Sequence, residues 1–279
     1  MPRYAYNTNG MTNHRLDDAL SLIADSGYDG VALTLDHHHL DPFAPELSRR
    51  VDALSARLAG LKLGLVVETG APYLLDPCRA HEPTLVSPEP EGRALCLEFL
   101  TRALDIAAAC GAEAVPFRTG APRPDVEPRE AWEHLQRGLA TIAERAAARG
   151  VVAALAPEPG MFVETVGDYR HVGDVVPVLR LALDIGRLVV TDEGDPGAVI
   201  RDVAPELGIV TIADARRGVW GAVPFGEGDL DVPPALRALL DVDYTRLVCV
   251  ELARDSYRAH AMIADALAYL KAAERAVTT

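Results

Sequence analysis

The chain has 279 residues, 49% of them hydrophobic, which is enough for one α/β barrel domain of the usual ~250 residues. Its formal net charge of −14 argues against nucleic acid as a partner, because that binding depends on lysine and arginine neutralising phosphates. No apolar stretch approaches the ~20 residues of a membrane span, no secretory signal is recognised, and the four cysteines form no Cys-x-x-Cys pair. We therefore expect a cytoplasmic protein.

In the first half of the chain, strand-like apolar runs alternate with amphipathic helical segments. Strands are predicted at residues 4–7, 30–36, 63–68 and 114–118, and helices at 16–25, 47–58, 94–110 and 129–148. Long loops are expected near residues 70–90 and 120–128, because both segments are rich in proline.

The second half repeats this alternation. Strands are predicted at residues 151–158, 181–184, 209–214 and 247–251, helices at 165–175, 196–203, 233–240 and 256–276, and a loop at 216–231. Eight strand–helix units predict a (β/α)8 TIM barrel, an α/β fold, as a single domain over residues 1–279. An open doubly wound sheet is the alternative, but the Gly-x-Gly-x-x-Gly motif expected of it is absent.

Six of the apolar runs end in an acidic side chain. The six residues are Asp36, Glu68, Glu158, Asp184, Asp214 and Glu251. Since the active site of such a barrel lies at the carboxyl ends of its strands, this repeated pattern predicts a polar site where those ends meet.

Asp184 and Glu251 are the strongest catalytic candidates, because each closes a strongly apolar run. A carboxylate in such surroundings must be paired, metal-bound or protonated, and two of them facing one pocket act as acid and base. The alternative for each is an ion pair with a nearby arginine. Glu158, between Pro157 and Pro159, is a third candidate if the strand continues, and a loop carboxylate otherwise.

Five further residues are candidates for substrate binding. Glu68 ends the third strand, and His37 belongs to an Asp-His-His-His run that is otherwise a polar loop. The other candidates, Arg118, Arg187 and Arg216, either hold an anionic substrate or neutralise neighbouring carboxylates.

Two more features of the loop after the seventh strand are weaker signals. Trp220 is a candidate for the pocket wall, although core packing explains it equally well. The glycine-rich turn at residues 225–231 is weak evidence alone, because any tight turn favours glycine.

Several segments together resemble the xylose-isomerase-like TIM-barrel superfamily of sugar phosphate isomerases and epimerases, which also contains apurinic-site endonucleases. The segments are residues 7–18 and 27–33, the Leu155-Ala-Pro-Glu-Pro region, Leu183-Asp184, the Gly226-x-Gly-x-Leu-Asp231 turn and the strand that ends at Glu251. The resemblance implies a divalent metal held by Glu, Asp, His and Glu, with the two glutamates moving protons beside a carbonyl.

The match to that ligand set is incomplete. Asp184 and Glu251 fit, but Ala156 stands where the first glutamate is expected, and Thr211 stands near the position of the histidine. Arg187 takes the histidine position of an Asp-x-x-His pattern. Two secure carboxylates, with Glu158 as an altered third ligand, predict a weakly held Mn²⁺ or Mg²⁺, and the alternative is that no metal is bound.

The sequence leaves three hypotheses for function. The first is an isomerase or epimerase that acts on a small hydroxylated or keto substrate, sugar-like or anionic, by carboxylate-mediated proton transfer. The second is a metal-independent lyase, dehydratase or cyclase of specialised metabolism, and the third is a non-catalytic ligand-binding relative. A small-molecule substrate is the expected partner, nucleic acid and membranes are not, and the sequence leaves a homodimer open.

Overall fold

A computed structural model describes residues 2–278 of the chain. The strands are β1 Arg3–Asn7, β2 Gly30–Thr34, β3 Gly64–Glu68, β4 Val115–Phe117, β5 Ala153–Leu155, β6 Arg180–Asp184, β7 Leu207–Ile212, β8 Asp214–Arg216, β9 Val219–Val223 and β10 Leu247–Val250. The helices are α1 Leu16–Asp25, α2 Leu47–Leu61, α3 Pro90–Cys110, α4 Pro128–Arg149, α5 Val166–Gly173, α6 Ile185–Thr191, α7 Pro196–Asp202, α8 Val232–Asp241 and α9 Ala259–Thr278.

Eight of the strands form one sheet, with the order β3-β2-β1-β10-β7-β6-β5-β4. The pairs that set its register are parallel, for example β1 with β10, where Tyr4 lies opposite Val248. A hydrogen bond from Val67 N to Ala114 O (3.1 Å) connects β3 with the chain that enters β4, which are the two ends of that order. The predicted (β/α)8 barrel is therefore confirmed, and its extent as one domain over residues 1–279 stays a prediction.

The chain divides into two compact units. The first runs to Leu33 and includes Ala56–Val66 and everything from Leu183 onward, while the second consists of Thr34–Ser55 and Val67–Ala182. The first unit contains β1, β7 and β10, and the second contains β4 and β5.

The longest helices in the middle of the chain begin and end where local chemistry requires. Pro90 and Pro128 occupy the first turns of α3 and α4, where a missing N–H costs no helical hydrogen bond. Gly111 and Gly150 end the same helices with φ of 66° and 64°, a conformation that favours glycine. None of the helices within residues 2–278 is long and apolar enough to cross a membrane.

Three sequence predictions about elements were wrong. β5 ends at Leu155 rather than 158, because Pro157 and Pro159 lack the N–H groups that a strand needs. Helix α6 was not predicted, since it is short and rich in β-branched residues, which have low helix propensity. The loop predicted from residue 216 contains part of an antiparallel hairpin, β8 with β9.

Asp214, only 1% exposed, organises the segment that follows β7. Its carboxylate accepts four backbone N–H bonds, from Ala215 and Leu230 at Oδ1 and from Gly226 and Gly228 at Oδ2, at 2.8–3.1 Å. A Cβ at residue 228 would lie 2.2 Å from Asp214 Oδ1, so only glycine fits there. The glycine-rich turn therefore exists to enclose this carboxylate.

Replacing Asp214 by alanine leaves four N–H donors without their acceptor, so we expect it to lower the free energy of unfolding by at least about 3 kcal/mol. Urea denaturation followed by circular dichroism measures the change. Asp231→Asn is the matched control, because Asp231 is exposed in the same segment and makes no side-chain capping bond. Equal stability of the two variants would contradict the structural role of Asp214.

Candidate functional site

In the first unit, Glu251 follows directly after β10 and is held by a neutral amide. Asn9 Nδ2 donates to Glu251 Oε1 at 3.0 Å, and the Glu251 backbone N–H donates to Ile212 O at 3.3 Å. Within residues 2–278, no arginine, lysine or histidine forms an ion pair with Glu251. The carboxylate is thus fixed in position without a positive charge to neutralise it.

Asn9 is itself fixed by the turn in which it lies. It belongs to a 3₁₀ helix, Thr8–Met11, and its backbone N–H donates to Asn7 Oδ1 at 3.0 Å. Its Oδ1 atom is buried and has no hydrogen-bond partner within the described residues, which leaves one acceptor of this amide unsatisfied. Sequence reasoning missed Asn9, because Asn-Thr-Asn is typical of an ordinary turn or helix cap.

Asp184 forms an ion pair with Arg187. Asp184 ends β6 and caps α6, so that Oδ1 accepts the Arg187 backbone N–H at 3.2 Å. Oδ2 lies 3.1 Å from Arg187 Nε, and the two side chains are 20% and 19% exposed. Helix α6 begins immediately after Asp184. Arg187, the third residue of the helix, therefore lies against the carboxylate that caps it.

Trp220, on β9, packs against the same arginine. The guanidinium carbon of Arg187 lies 4.5 Å from the centroid of the Trp220 ring, a cation–π contact. Arg254 Nη2 donates to Trp220 O at 3.0 Å. Gly221, at φ 115°, makes room for Arg254, because a Cβ at residue 221 would lie 2.3 Å from Arg254 Cζ.

Arg216, which the sequence predicted as a substrate-binding residue, is exposed and donates from Nε to Glu227 O at 3.2 Å.

In the second unit, Glu158 forms an ion pair with Arg118, which follows β4. Glu158 is buried three residues beyond the end of β5, in a turn where its N–H donates to Val163 O at 3.0 Å. Gly70 makes room for the arginine, since a Cβ there would lie 2.5 Å from Arg118 Nη1. Removing either partner would leave the other charge buried without a counter-charge, which is strongly destabilising.

A half-open cavity lies in the second unit beside Arg118. Its apolar wall includes Leu75, Phe99, Leu100 and Met161, and its polar groups include Thr69, His81, Glu82 and Thr84. The space inside it that water-sized molecules can occupy is about 70 Å³, well below the roughly 300–1,000 Å³ of small-molecule sites. Burial raises the pKa of the Cys96 thiol in its wall to about 12, so Cys96 stays protonated and unreactive at neutral pH.

His81 is a residue of this cavity that sequence reasoning missed, because it lies in a proline-rich loop without a motif. Partial burial and then the positive charge of Arg118 lower its pKa, and Glu158 opposes them. Its backbone φ of 59° is uncommon for a residue other than glycine, although histidine adopts it more often than most.

The histidine run after β2 is arranged around Asp36. His39 is buried, with Nδ1 3.0 Å from Asp36 Oδ2, whereas His37 is 62% exposed and lies 3.5 Å from Asp41. Burial raises the pKa of Asp36, but hydrogen bonds from His39 and His38 outweigh it and lower the pKa below its usual value. Glu68 is buried at the end of β3. Substrate-binding roles for His37 and Glu68 stay predictions.

The donor set does not fit the metal that the family resemblance implies. Within residues 2–278, no three His, Cys, Asp or Glu side chains form a group that could hold a metal ion. Ala156 and Thr211 supply neither a carboxylate nor an imidazole, and both oxygens of Asp184 already contact Arg187. The Mn²⁺ or Mg²⁺ ligands predicted from sequence, Asp184, Glu251 and Glu158, each have another partner.

Comparison with known proteins identifies relatives of the fold. The profile of the xylose isomerase-like TIM barrel family matches residues 20–273. The chain is similar to L-ribulose 3-epimerase (20% identity, TM-score 0.79, covering 100% of this chain and 97% of the other). It is also similar to 3-keto-D-glucoside 4-epimerase from E. coli (17%, 0.78, 98% and 100%) and to D-allulose 3-epimerase from Methylomonas sp. in complex with D-allulose (19%, 0.75, 98% and 98%). No curated protein matches the sequence.

We expect Arg118→Gln to raise the pKa of His81, because it removes the positive charge that disfavours the imidazolium ion. An NMR pH titration of the imidazole resonances measures the shift. Arg123→Gln is the control, since Arg123 lies on the same segment in an exposed pair with Asp125. An unchanged or lower His81 pKa in Arg118→Gln would show that the two side chains do not interact.

Proposed function

The chain belongs to the xylose isomerase-like TIM barrel family, and on that basis we propose that it is an enzyme of the isomerase or epimerase kind. Its substrate is a small hydroxylated ketone, and its chemistry is the transfer of a proton at the carbon next to the carbonyl. The structural neighbours support the reaction type, because three of them are epimerases and two are named for ketoses, L-ribulose and D-allulose.

One observation carries the proposal, the environment of Glu251. A general base must hold its carboxylate in position and still accept a proton, and a strong ion pair works against that second requirement. Asn9 Nδ2 fixes Glu251 Oε1 at 3.0 Å without contributing a positive charge. We therefore assign proton abstraction to Glu251, and Asn9 acts as the residue that positions it.

Asn9 also has a role toward the substrate in this proposal. Its buried Oδ1 has no hydrogen-bond partner within residues 2–278, and a substrate hydroxyl is a donor that would satisfy it. A hydroxyl bound there would lie beside the carboxylate that Asn9 holds. This arrangement favours a polyhydroxylated substrate over an apolar ketone, because the latter would leave Oδ1 without a partner.

A catalytic role for Glu158 stays a prediction, and Arg118 holds its side chain in place through their ion pair. Asp184 orients Arg187 rather than meeting the substrate itself. A small molecule is the only partner that this reaction requires.

A metal-independent lyase, dehydratase or cyclase is the second candidate, and a specific observation favours it. Two of the three predicted catalytic carboxylates, Asp184 and Glu158, are paired with arginines, which can stabilise a leaving oxygen or a developing enolate without a metal. Mass spectrometry of the product separates epimerisation from a lyase or dehydratase reaction, because epimerisation conserves the mass of the substrate and elimination does not.

We expect Glu251→Gln to lower turnover by at least ~100-fold, the low end of a general base contribution. The assay incubates the protein with ketoses, including L-ribulose and D-allulose, in D₂O, and NMR detects deuterium at the carbon next to the carbonyl. Glu144→Gln, an exposed change on α4, is the control and should exchange like the unmodified protein.

Deuterium incorporation that is equal in Glu251→Gln and in the unmodified protein would remove Glu251 from the reaction. If Glu251→Gln instead binds a ketose normally and the unmodified protein never exchanges deuterium, the chain is the non-catalytic relative.

A further inference from the structure

The ion pair of Asp184 with Arg187 stands where the family resemblance predicts a metal ligand. A divalent cation that bound Asp184 would have to displace Arg187 Nε from Oδ2, at 3.1 Å, and the Arg187 backbone N–H from Oδ1, at 3.2 Å. The second contact is also the N-cap of α6. Metal binding would therefore disturb the start of a helix as well as break an ion pair.

Arg187 is held from a second direction by the β8–β9 hairpin. The face of its guanidinium packs on the Trp220 ring, 4.5 Å from the centroid, and Arg254 fixes the Trp220 carbonyl oxygen. With 19% of its side chain exposed, Arg187 is not a mobile surface residue that would leave when a cation approaches. The Asp184 contact at the guanidinium edge and the Trp220 contact at its face together define both its position and its plane.

A fixed guanidinium in this position also opposes a metal electrostatically. A divalent ion bound at Asp184 would lie a few ångströms from a full positive charge, in a site that is only one-fifth exposed. The other positions of the implied ligand set, Ala156 and Thr211, offer no charge to offset that repulsion.

We infer that Arg187 replaces the divalent cation, and that the reaction of this protein requires no metal. The inference rests on the proposed function for the identity of the reaction. When Glu251 takes the proton from the carbon next to the carbonyl, the C–H bonding pair forms the C=C bond and the carbonyl pair moves onto oxygen. The Arg187 guanidinium stabilises that oxyanion through hydrogen bonds, and the carbon then takes a proton from solvent as the C=O bond re-forms, which restores the ketone.

Arg187 therefore recognises a chemical class, a carbonyl or carboxylate oxygen that carries or develops negative charge. Asp184 keeps the guanidinium in orientation, and Trp220 limits its rotation. A lysine at residue 187 would keep the charge but lose the planar arrangement of donors.

The first experiment measures metal binding directly and does not depend on turnover. The protein is dialysed against a chelator, and Mn²⁺ is titrated into it while electron paramagnetic resonance follows the free ion. We expect no saturable binding. Saturable binding of one Mn²⁺ per chain that Asp184→Asn abolishes would overturn the inference, whether or not the protein proves to be an epimerase.

The second experiment tests the role of the guanidinium in the D₂O exchange assay. Arg187→Met should lower kcat by about 100- to 1000-fold, the loss expected when one oxyanion donor is removed, with a smaller change in KM. Arg187→Lys should recover part of kcat. Arg201→Met is the matched control, because Arg201 also pairs with an aspartate, Asp241, at 2.9 Å, and its kcat should be unchanged.

Circular dichroism confirms that each variant is folded before its kinetics are compared. Unchanged kcat in a folded Arg187→Met variant would overturn the inference, and so would turnover that is lost on chelation and restored by Mn²⁺. If no ketose exchanges deuterium with any variant, the proposed function fails, whereas the Mn²⁺ titration still decides whether Asp184 is a metal ligand.

Discussion

A carboxylate at the end of a buried strand must find a partner, and the partner decides what that carboxylate can do. Asp214 has four backbone N–H groups, so its charge is used entirely to hold a loop. Asp184 and Glu158 have arginines, and Glu251 has the amide of Asn9. These four carboxylates look alike in sequence but differ chemically, and of the four only Glu251 is held neither by a cation nor by a set of backbone N–H groups.

Because their partners differ, Glu251 and the Asp184–Arg187 pair have different roles in the proposed reaction. The Asn9 amide holds the Glu251 carboxylate without a charge, so that carboxylate can accept a proton. Asp184 instead holds the Arg187 guanidinium in a fixed position and plane. Proton abstraction next to a carbonyl needs both elements, a base and a positive group at the oxygen. The first unit of the chain supplies each element from a side chain, so the proposed chemistry does not require a metal.

Much of the fold could be predicted from sequence, because eight hydrophobic runs with strand length alternate with amphipathic segments of helical period. The site was less accessible. Asp184 and Glu251 were predicted as site residues because they end apolar runs. An ion pair with a nearby arginine was only an alternative prediction for Asp184. Asn9 and His81 were missed, since their contacts join segments distant in sequence, as the separation of 242 positions between Asn9 and Glu251 illustrates. Helix α6 was missed because a capping aspartate, rather than propensity, begins it.

The central claim is that Arg187 occupies the cation position beside Asp184. A crystal structure determined from crystals grown with excess Mn²⁺, with data collected at the manganese absorption edge, tests it most directly. The account predicts no anomalous peak bonded to Asp184, with Arg187 Nε still against the carboxylate and its guanidinium on Trp220. An anomalous peak bonded to both Asp184 and Glu251, with Arg187 turned away, would contradict it.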